Sequence, residues 1–342
     1  MAEWRESSWN GQTKGSYSDQ LTGIAAMPEQ RLIALTGATG FIGRRLLTEL
    51  PRRGFRVRVL LRRPTEVALE QGSAVIGDLA RPRNMAAALA DVDAVIHSAG
   101  LAHAMSGRPA DDYRVLNTEA TIALAQAAER ARVKRFVFLS SIRAQVGPSA
   151  EGVVNEARAP EPTDDYGRSK LAAEQGLHAL GLDWVALRPV LVYGPGVKGN
   201  VATLVRLART PWPLPVGGLT GRRSLLSVDN LADAVATVLD APGPLRRPFI
   251  VADAEPLSVP EMIGALRAGL GRRPGVLPMP ARLIGLALRA AGRAEWYERV
   301  AGSLVADGAA LARLGFAPRI SPREGLAALM RNALASAPHT TT

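Results

Sequence analysis

From Arg31 to about Pro189, short apolar runs alternate with stretches whose apolar residues return every three or four positions. The runs near 32–36, 56–61, 74–76, 93–97, 135–140 and 184–188 have the length and the polar boundaries of buried parallel strands. Helical spacing fills most of the gaps; Phe41, Leu46, Leu47 and Leu50 follow the first run in this way. Strand and helix in repeated alternation predict an α/β fold built on a doubly wound parallel sheet. After Pro189 the texture changes, and Gly194, Pro195, Gly196, Pro211, Pro213 and Pro215 interrupt regular structure. A second, smaller C-terminal lobe is expected to begin there. Ser227 to Asn230, a helix over 231–239 and a strand near 249–251 lead back to the sheet. Beyond Pro256 the pattern predicts short helices with Leu283, Leu286, Val305, Leu311 and Leu314 as core positions.

The turn between the first strand and the first helix reads Thr36, Gly37, Ala38, Thr39, Gly40, Phe41, Ile42, Gly43. Glycines there permit a tight turn, let backbone N–H groups approach a phosphate and let the helix pack closely on the sheet, its positive end toward the anion. An ordinary strand-to-helix turn would also tolerate them, and the missing Gly-Lys-Ser/Thr argues against a nucleoside-triphosphate loop. On this basis residues 31–190 plus 225–252 are assigned to a Rossmann-type dinucleotide-binding domain. Residues 191–224 plus 253–335 are assigned to a substrate-binding lobe. Residues 1–30 lack the basic start and apolar core of a signal peptide and read as a disordered extension, with Met27 an alternative start and 336–342 a flexible tail.

Composition narrows the chemistry. The 342 residues contain no cysteine, which removes disulfides, thiolate nucleophiles and cysteine-ligated metals. The four histidines do not cluster, and His97 and His103 lie too far apart for one helix face, so no metal site is expected. The formal charge of +11 raises nucleic acid as a partner, yet the arginines are dispersed and no DNA- or RNA-binding motif is present. No segment has the apolar length to cross a bilayer; Leu283 to Leu288 is short and bracketed by Arg282 and Arg289. A cytoplasmic protein without membrane insertion is expected.

Tyr166 and Lys170 stand four residues apart at the start of a predicted helix and therefore share a face. An ammonium beside a phenol favours phenolate and makes tyrosine a usable acid and base for a carbonyl/alcohol pair. With both motifs present, the chain resembles the extended short-chain dehydrogenase/reductases over about Arg31 to Leu329, in particular their nucleotide-sugar epimerases, dehydratases and 4-keto-reductases. Further matching stretches are Gly77 to Leu79, His97 to Gly100, Phe138 to Ser141, Leu187 to Pro189, Tyr193 to Gly196 and Ser227 to Asn230.

The resemblance implies roles. Tyr166 would be the acid/base, Lys170 would hold the nicotinamide ribose, and Ser141, rather than Ser140, would hydrogen-bond the reacting oxygen. Gly37, Thr39, Gly40, Phe41, Ile42 and Gly43 would hold the pyrophosphate. Asp78 and Leu79 would meet the adenine, Ser98, Ala99 and Gly100 would line the cofactor, and Pro189 would close on it. Asn117 fits either this group or a buried structural helix residue. Where an acid usually meets the ribose hydroxyls, the chain has Arg62 and Arg63, so NADP(H) is favoured over NAD(H) unless both are surface arginines.

Asn200, Val216 and Arg223, with Arg299, match family contacts to a nucleotide diphosphate and its base, although Arg222 and Arg223 could equally be solvated. Ile142 and Arg143 replace the acidic pair of the dehydratases, which argues against dehydration. The expected activity is NAD(P)-dependent hydride transfer at C4 of a UDP-hexose derivative in polysaccharide synthesis, 4-keto reduction being favoured. The alternatives are a UDP-sugar 4-epimerase, a reductase of a small aldehyde or ketone, and a non-catalytic cofactor-binding protein. A homodimer is expected from the family alone.

Overall fold

The alternation of apolar runs and helical stretches corresponds to a layered α/β structure. The computed structural model describes residues 30–64, 72–101, 109–290, 292, 297 and 301–335. The first part runs β1 (Leu32–Thr36), α1 (Phe41–Arg52), β2 (Arg56–Leu61), β3 (Ser73–Val75), α2 (Met85–Ala88) and β4 (Ala94–His97). A continuous helical stretch follows, made of α3 (Ala110–Tyr113), a π turn (Arg114–Glu119) and α4 (Ala120–Arg130). Next come β5 (Arg135–Leu139), a 3-10 turn (Ile142–Ala144), β6 (Val153–Val154), α5 (Asp165–His178), β7 (Trp184–Pro189) and β8 (Leu191–Tyr193). The chain continues with α6 (Asn200–Arg209), β9 (Arg222–Arg223), β10 (Leu225–Ser227), α7 (Val228–Asp240), β11 (Arg247–Val251) and β12 (Leu257–Ser258). It ends with α8 (Val259–Ala268), α9 (Ala281–Ala290), β13 (Val305–Ala306) and helices Ala309–Ala312 and Pro322–Ala335.

Seven strands form one sheet in the order β11-β7-β5-β4-β1-β2-β3, all neighbours parallel. From β1 the chain steps one way to β2 and β3, whereas from β4 it steps the other way to β5 and β7. This reversal opens a crevice at the carboxyl ends of β1 and β4, where ligands of such sheets bind. Strand geometry sends alternate residues to opposite faces. Ile33 and Leu35 join a core with Leu46 and Leu50 of α1 and Leu231 and Val235 of α7. Leu32 and Ala34 join another with Leu124 and Ala128 of α4 and Leu177 of α5. A third core, containing Tyr193, Leu219, Met262, Leu266, Leu326 and Met330, belongs to the chain after Pro189.

Two expected core positions are corrected. Leu283 and Leu286 are 53% and 65% exposed, while Ile284 between them packs inward. The apolar stripe of α9 is wider than the surface that covers it. Leu311 is fully buried as expected, with Val305 and Leu314 partly so. Helix Pro322–Ala335, of 14 residues, is longer than the short helices predicted. The expected extension over 1–29, the tail over 336–342, His103 and Arg299 lie outside the described residues.

Candidate active site

Gly37 follows β1 with φ +72°, and its amide oxygen accepts from Gly40 N at 2.9 Å, closing the turn. A Cβ on Gly37 would lie 2.6 Å from Ala99 N, and one on Gly43 would lie 2.0 Å from Gly37 O. The backbones of the turn, α1 and the segment after β4 can therefore approach this closely only with glycine. Helix α1 has Gly40 as its N-cap, no side-chain cap and no acid in its first turn, which leaves its N–H groups available to an anion. Thr39, Phe41, Ile42, Ser98 and Ala99 border this crevice by chain position, and the half-buried Leu79 and exposed Asp78 lie beyond β3. Arg62 and Arg63 are exposed immediately after β2. The crevice fits a dinucleotide: turn, helix N-terminus and strand ends meet at the switch point.

A hydrogen-bond chain supports the crevice floor. Thr121 Oγ1 donates to Asn117 O at 2.6 Å and so accepts from His97 Nε2 at 3.0 Å. His97 Nδ1 is then an acceptor for Thr36 Oγ1 at 2.7 Å, and Thr36 Oγ1 accepts from Ala99 N at 3.2 Å. Burial, then the charge of Lys170, lowers His97 to about 3, so the ring is neutral. Asn117, fully buried in the π turn, accepts from Leu101 N at 2.7 Å and donates to Ser169 Oγ at 3.1 Å. These bonds tie the crevice lining to α5.

Asp164 caps α5 by accepting from Gly167 N at 2.7 Å, which starts the helix just before Tyr166. Tyr166 and Ser141 are hydrogen-bonded. Ser141 caps the 3-10 turn after β5, accepting from Arg143 N at 3.1 Å, whereas Ser140 donates away from the site to Glu174. Lys170 donates to Leu139 O at 3.0 Å, with Nζ 4.6 Å from the Phe138 ring centre and 6.0 Å from that of Tyr166. Burial lowers Lys170 to about 8. The expectation that Lys170 lowers the Tyr166 phenol is corrected. Burial raises that phenol, with the Ser141 hydrogen bond opposing only in part.

Ser141 and Tyr166 lie on the wall of a cavity of about 440 Å³ that also takes in Asn200, Val216 and Arg223. Pro189 is buried at the end of β7, and Val190 after it lines the cavity. The rest of the wall is largely apolar, with Leu204, Leu207, Leu219, Met262, Ile284 and Leu304 prominent. Arg223 donates to Pro148 O at 3.0 Å, and burial followed by the charge of Arg143 lowers its pKa. Arg222 points elsewhere, to Pro256 O and Glu261.

Sequence reasoning missed two features. Arg143, paired with Asp164, reaches the cavity with Nε and Nη1 buried and without hydrogen-bond partners. Beneath the site, Arg188 and Glu174 form a buried bidentate pair that also engages Gln145 and Ser140. The signal for the second was present: a charge inside the apolar run of β7, and Glu174 one helical turn beyond Lys170.

A model of the NAD dependent epimerase/dehydratase family matches residues 33–251. The chain belongs to the NAD-dependent epimerase/dehydratase family. It is an NAD(P)-dependent enzyme of the extended short-chain dehydrogenase/reductase type. It is 35% identical over 300 residues to a UDP-glucose 4-epimerase of Vibrio cholerae, covering 84% of this chain and 89% of that one. A ceramide reductase of Caulobacter vibrioides is 34% identical over 206 residues, which is 59% of this chain and 58% of the relative. Among solved structures, MoeE5 in complex with UDP-glucuronic acid and NAD superposes with a TM-score of 0.69 at 29% identity. That match covers 89% of this chain and 99% of MoeE5. The family glycine turn and the Tyr166/Lys170 helix thus sit in the fold that such relatives share.

Proposed function

We propose that the enzyme performs hydride transfer at C4 of a UDP-hexose derivative, as a 4-keto-sugar reductase in polysaccharide synthesis. The observation that carries this reading is the single cavity in which Ser141 and Tyr166 face Asn200, Val216 and Arg223. When bound, the nicotinamide dinucleotide supplies the hydride equivalent. Tyr166 gives its proton to the ketone oxygen, and burial keeps the phenol in the protonated form that this step requires. Ser141 donates to the same oxygen and fixes its position. Lys170, with Nζ 6.0 Å from the tyrosine ring centre, holds positive charge near the phenolate that this transfer leaves. The buried guanidinium groups of Arg143 and Arg223 suit an anionic portion of the substrate such as a diphosphate. The similar UDP-glucose 4-epimerase supports the substrate class, and 4-epimerisation at the same residues is the adjoining possibility.

The apolar wall of the cavity favours a second reading, reduction of a ketone that carries a long apolar chain, to which the similar ceramide reductase lends support. Thermal-shift measurements with NADPH present separate the two. Stabilisation by UDP or a UDP-sugar supports the first. Stabilisation by an acyl ketone with none by UDP replaces it with the second.

NADP(H) is the proposed cofactor, on the two exposed arginines that follow β2 where an acid would repel a 2′-phosphate. Replacing Arg62 and Arg63 by alanine is expected to weaken NADPH binding by about tenfold or more while changing NADH binding little. Tighter binding of NADH than NADPH by the parent enzyme would overturn this preference.

A further inference from the structure

Among the described residues seven large apolar side chains are exposed, and five of them, Leu207, Trp212, Leu277, Leu283 and Leu286, belong to the lobe that lines the cavity. They come from neighbouring segments. Leu214 bridges Val276, Gly217 N donates to Leu277 O at 2.9 Å, and Leu277 N donates to Leu214 O at 2.8 Å. Arg272 Nη1 reaches Arg209 O at 3.1 Å, joining the end of α6 to the turn after α8. Helix α9 continues from the same strand-like segment, and its Ile284 lines the cavity while Leu283 and Leu286 face outward.

This exposure is built rather than loose. The buried Arg267 donates to the carbonyls of Ala208, Thr210, Trp212, Pro274 and Gly275, fastening both loops from beneath. Trp212 is nevertheless 74% exposed above this anchor. A tryptophan held outward on a fixed backbone, beside exposed leucines, is an arrangement that water does not stabilise.

Charge identifies the occupant. Between Trp184 and Val228, and between Met262 and Arg293, the sequence contains no aspartate or glutamate. Arg206, Arg209, Arg272, Arg273, Arg282 and Arg289 are all exposed on the same segments, and among the described residues none has a carboxylate partner. Apolar side chains interspersed along these segments with exposed arginines match a surface with apolar depth and negative headgroups. Tryptophan at such a boundary places its ring at headgroup level.

We propose that this face docks the enzyme peripherally on an anionic lipid bilayer, with the rim of the cavity at Leu207 and Ile284 turned toward the lipid. No helix among the described residues is long and apolar enough to cross a membrane, so the contact is made in the plane of the interface. The docking holds for either substrate proposed above, and its test involves no turnover.

The test is flotation of the full chain with vesicles of phosphatidylcholine alone or mixed equally with phosphatidylglycerol. Binding to the mixed vesicles is expected, weaker in high salt, with little binding to phosphatidylcholine alone. The exposed double variant Leu283→Ser with Leu286→Ser should lose about tenfold or more in vesicle affinity and keep the parent's thermal stability. Hydrogen exchange on the parent protein gives an independent readout, with vesicle-dependent protection expected over 205–217 and 277–290. Absence of binding to the anionic vesicles overturns the proposal, as does equal binding by the variant. Sedimentation showing that the leucine pair instead holds two copies together, with no vesicle binding, overturns it in favour of a self-association surface.

Discussion

Replacing Tyr166 by Phe is expected to lower kcat by about 10²- to 10⁴-fold, the usual contribution of a positioned general acid. The ring would remain, still edge-on to Tyr113 at 6.3 Å and above Lys170, so only the hydroxyl and its bond to Ser141 are removed. Stability should therefore change by about 1 kcal/mol or less, and dinucleotide affinity should be retained. The pH profile gives a second readout. Lys170 titrates near 8 because burial penalises its charge, so the ammonium is present below that value and lost above it. The parent rate should fall as pH rises through about 8, and the residual rate of the variant should be small throughout. Turnover by the variant at the parental level would remove Tyr166 from the chemistry.

The second large effect is structural. Arg188→Leu leaves the Glu174 carboxylate buried without its guanidinium partner, at an expected cost of about 3–5 kcal/mol. Both side chains are nearly inaccessible, 3% and 4% exposed, so water cannot replace the lost partner. Replacing both, Glu174→Leu with Arg188→Met, should recover most of the loss, because an apolar pair of similar size requires no desolvated charge. Midpoints of chemical denaturation for the two single variants and the double variant measure this directly. Additive losses, with no recovery in the double variant, would show that the pair is not a coupled unit. Ser140 donates to Glu174 and adjoins Ser141, so the single variants should also raise KM by displacing the strand end that carries Ser141, the serine proposed to hold the reacting oxygen.

The parallel sheet was legible because β1, β4, β5 and β7 are buried on both faces and therefore nearly free of polar residues. The glycine turn was legible because only residues without a side chain fit between Gly37, Gly43 and Ala99. Tyr166 and Lys170 were found by helical spacing, which survives folding unchanged. What spacing does not encode is the partner across space. Leu283 and Leu286 have the pattern of a core helix, yet the body of the protein covers Ile284 and leaves both leucines exposed. Arg143 and Arg267 were indistinguishable in the sequence from the many surface arginines, although each is drawn inward by acceptors distant along the chain or unformed before folding. The phenol of Tyr166 differs from expectation for the same reason: its surroundings, rather than its neighbour one turn away, set its proton affinity.

The position of β11 has a consequence for the order of synthesis. It pairs with β7 at the edge of the sheet, so the sheet lacks its last strand until the chain has emerged through Val251. The cavity needs still more chain, since Val259, Met262, Ile284 and Leu304 all follow that strand. Helix Pro322–Ala335 then returns to pack on α8. A nascent polypeptide can thus finish its nucleotide crevice while the pocket for its second ligand is still being translated. Parallel pairings at long sequence separation are slow to form. A chain cut short after Val251 would retain every strand of the sheet and none of the later walls of the cavity.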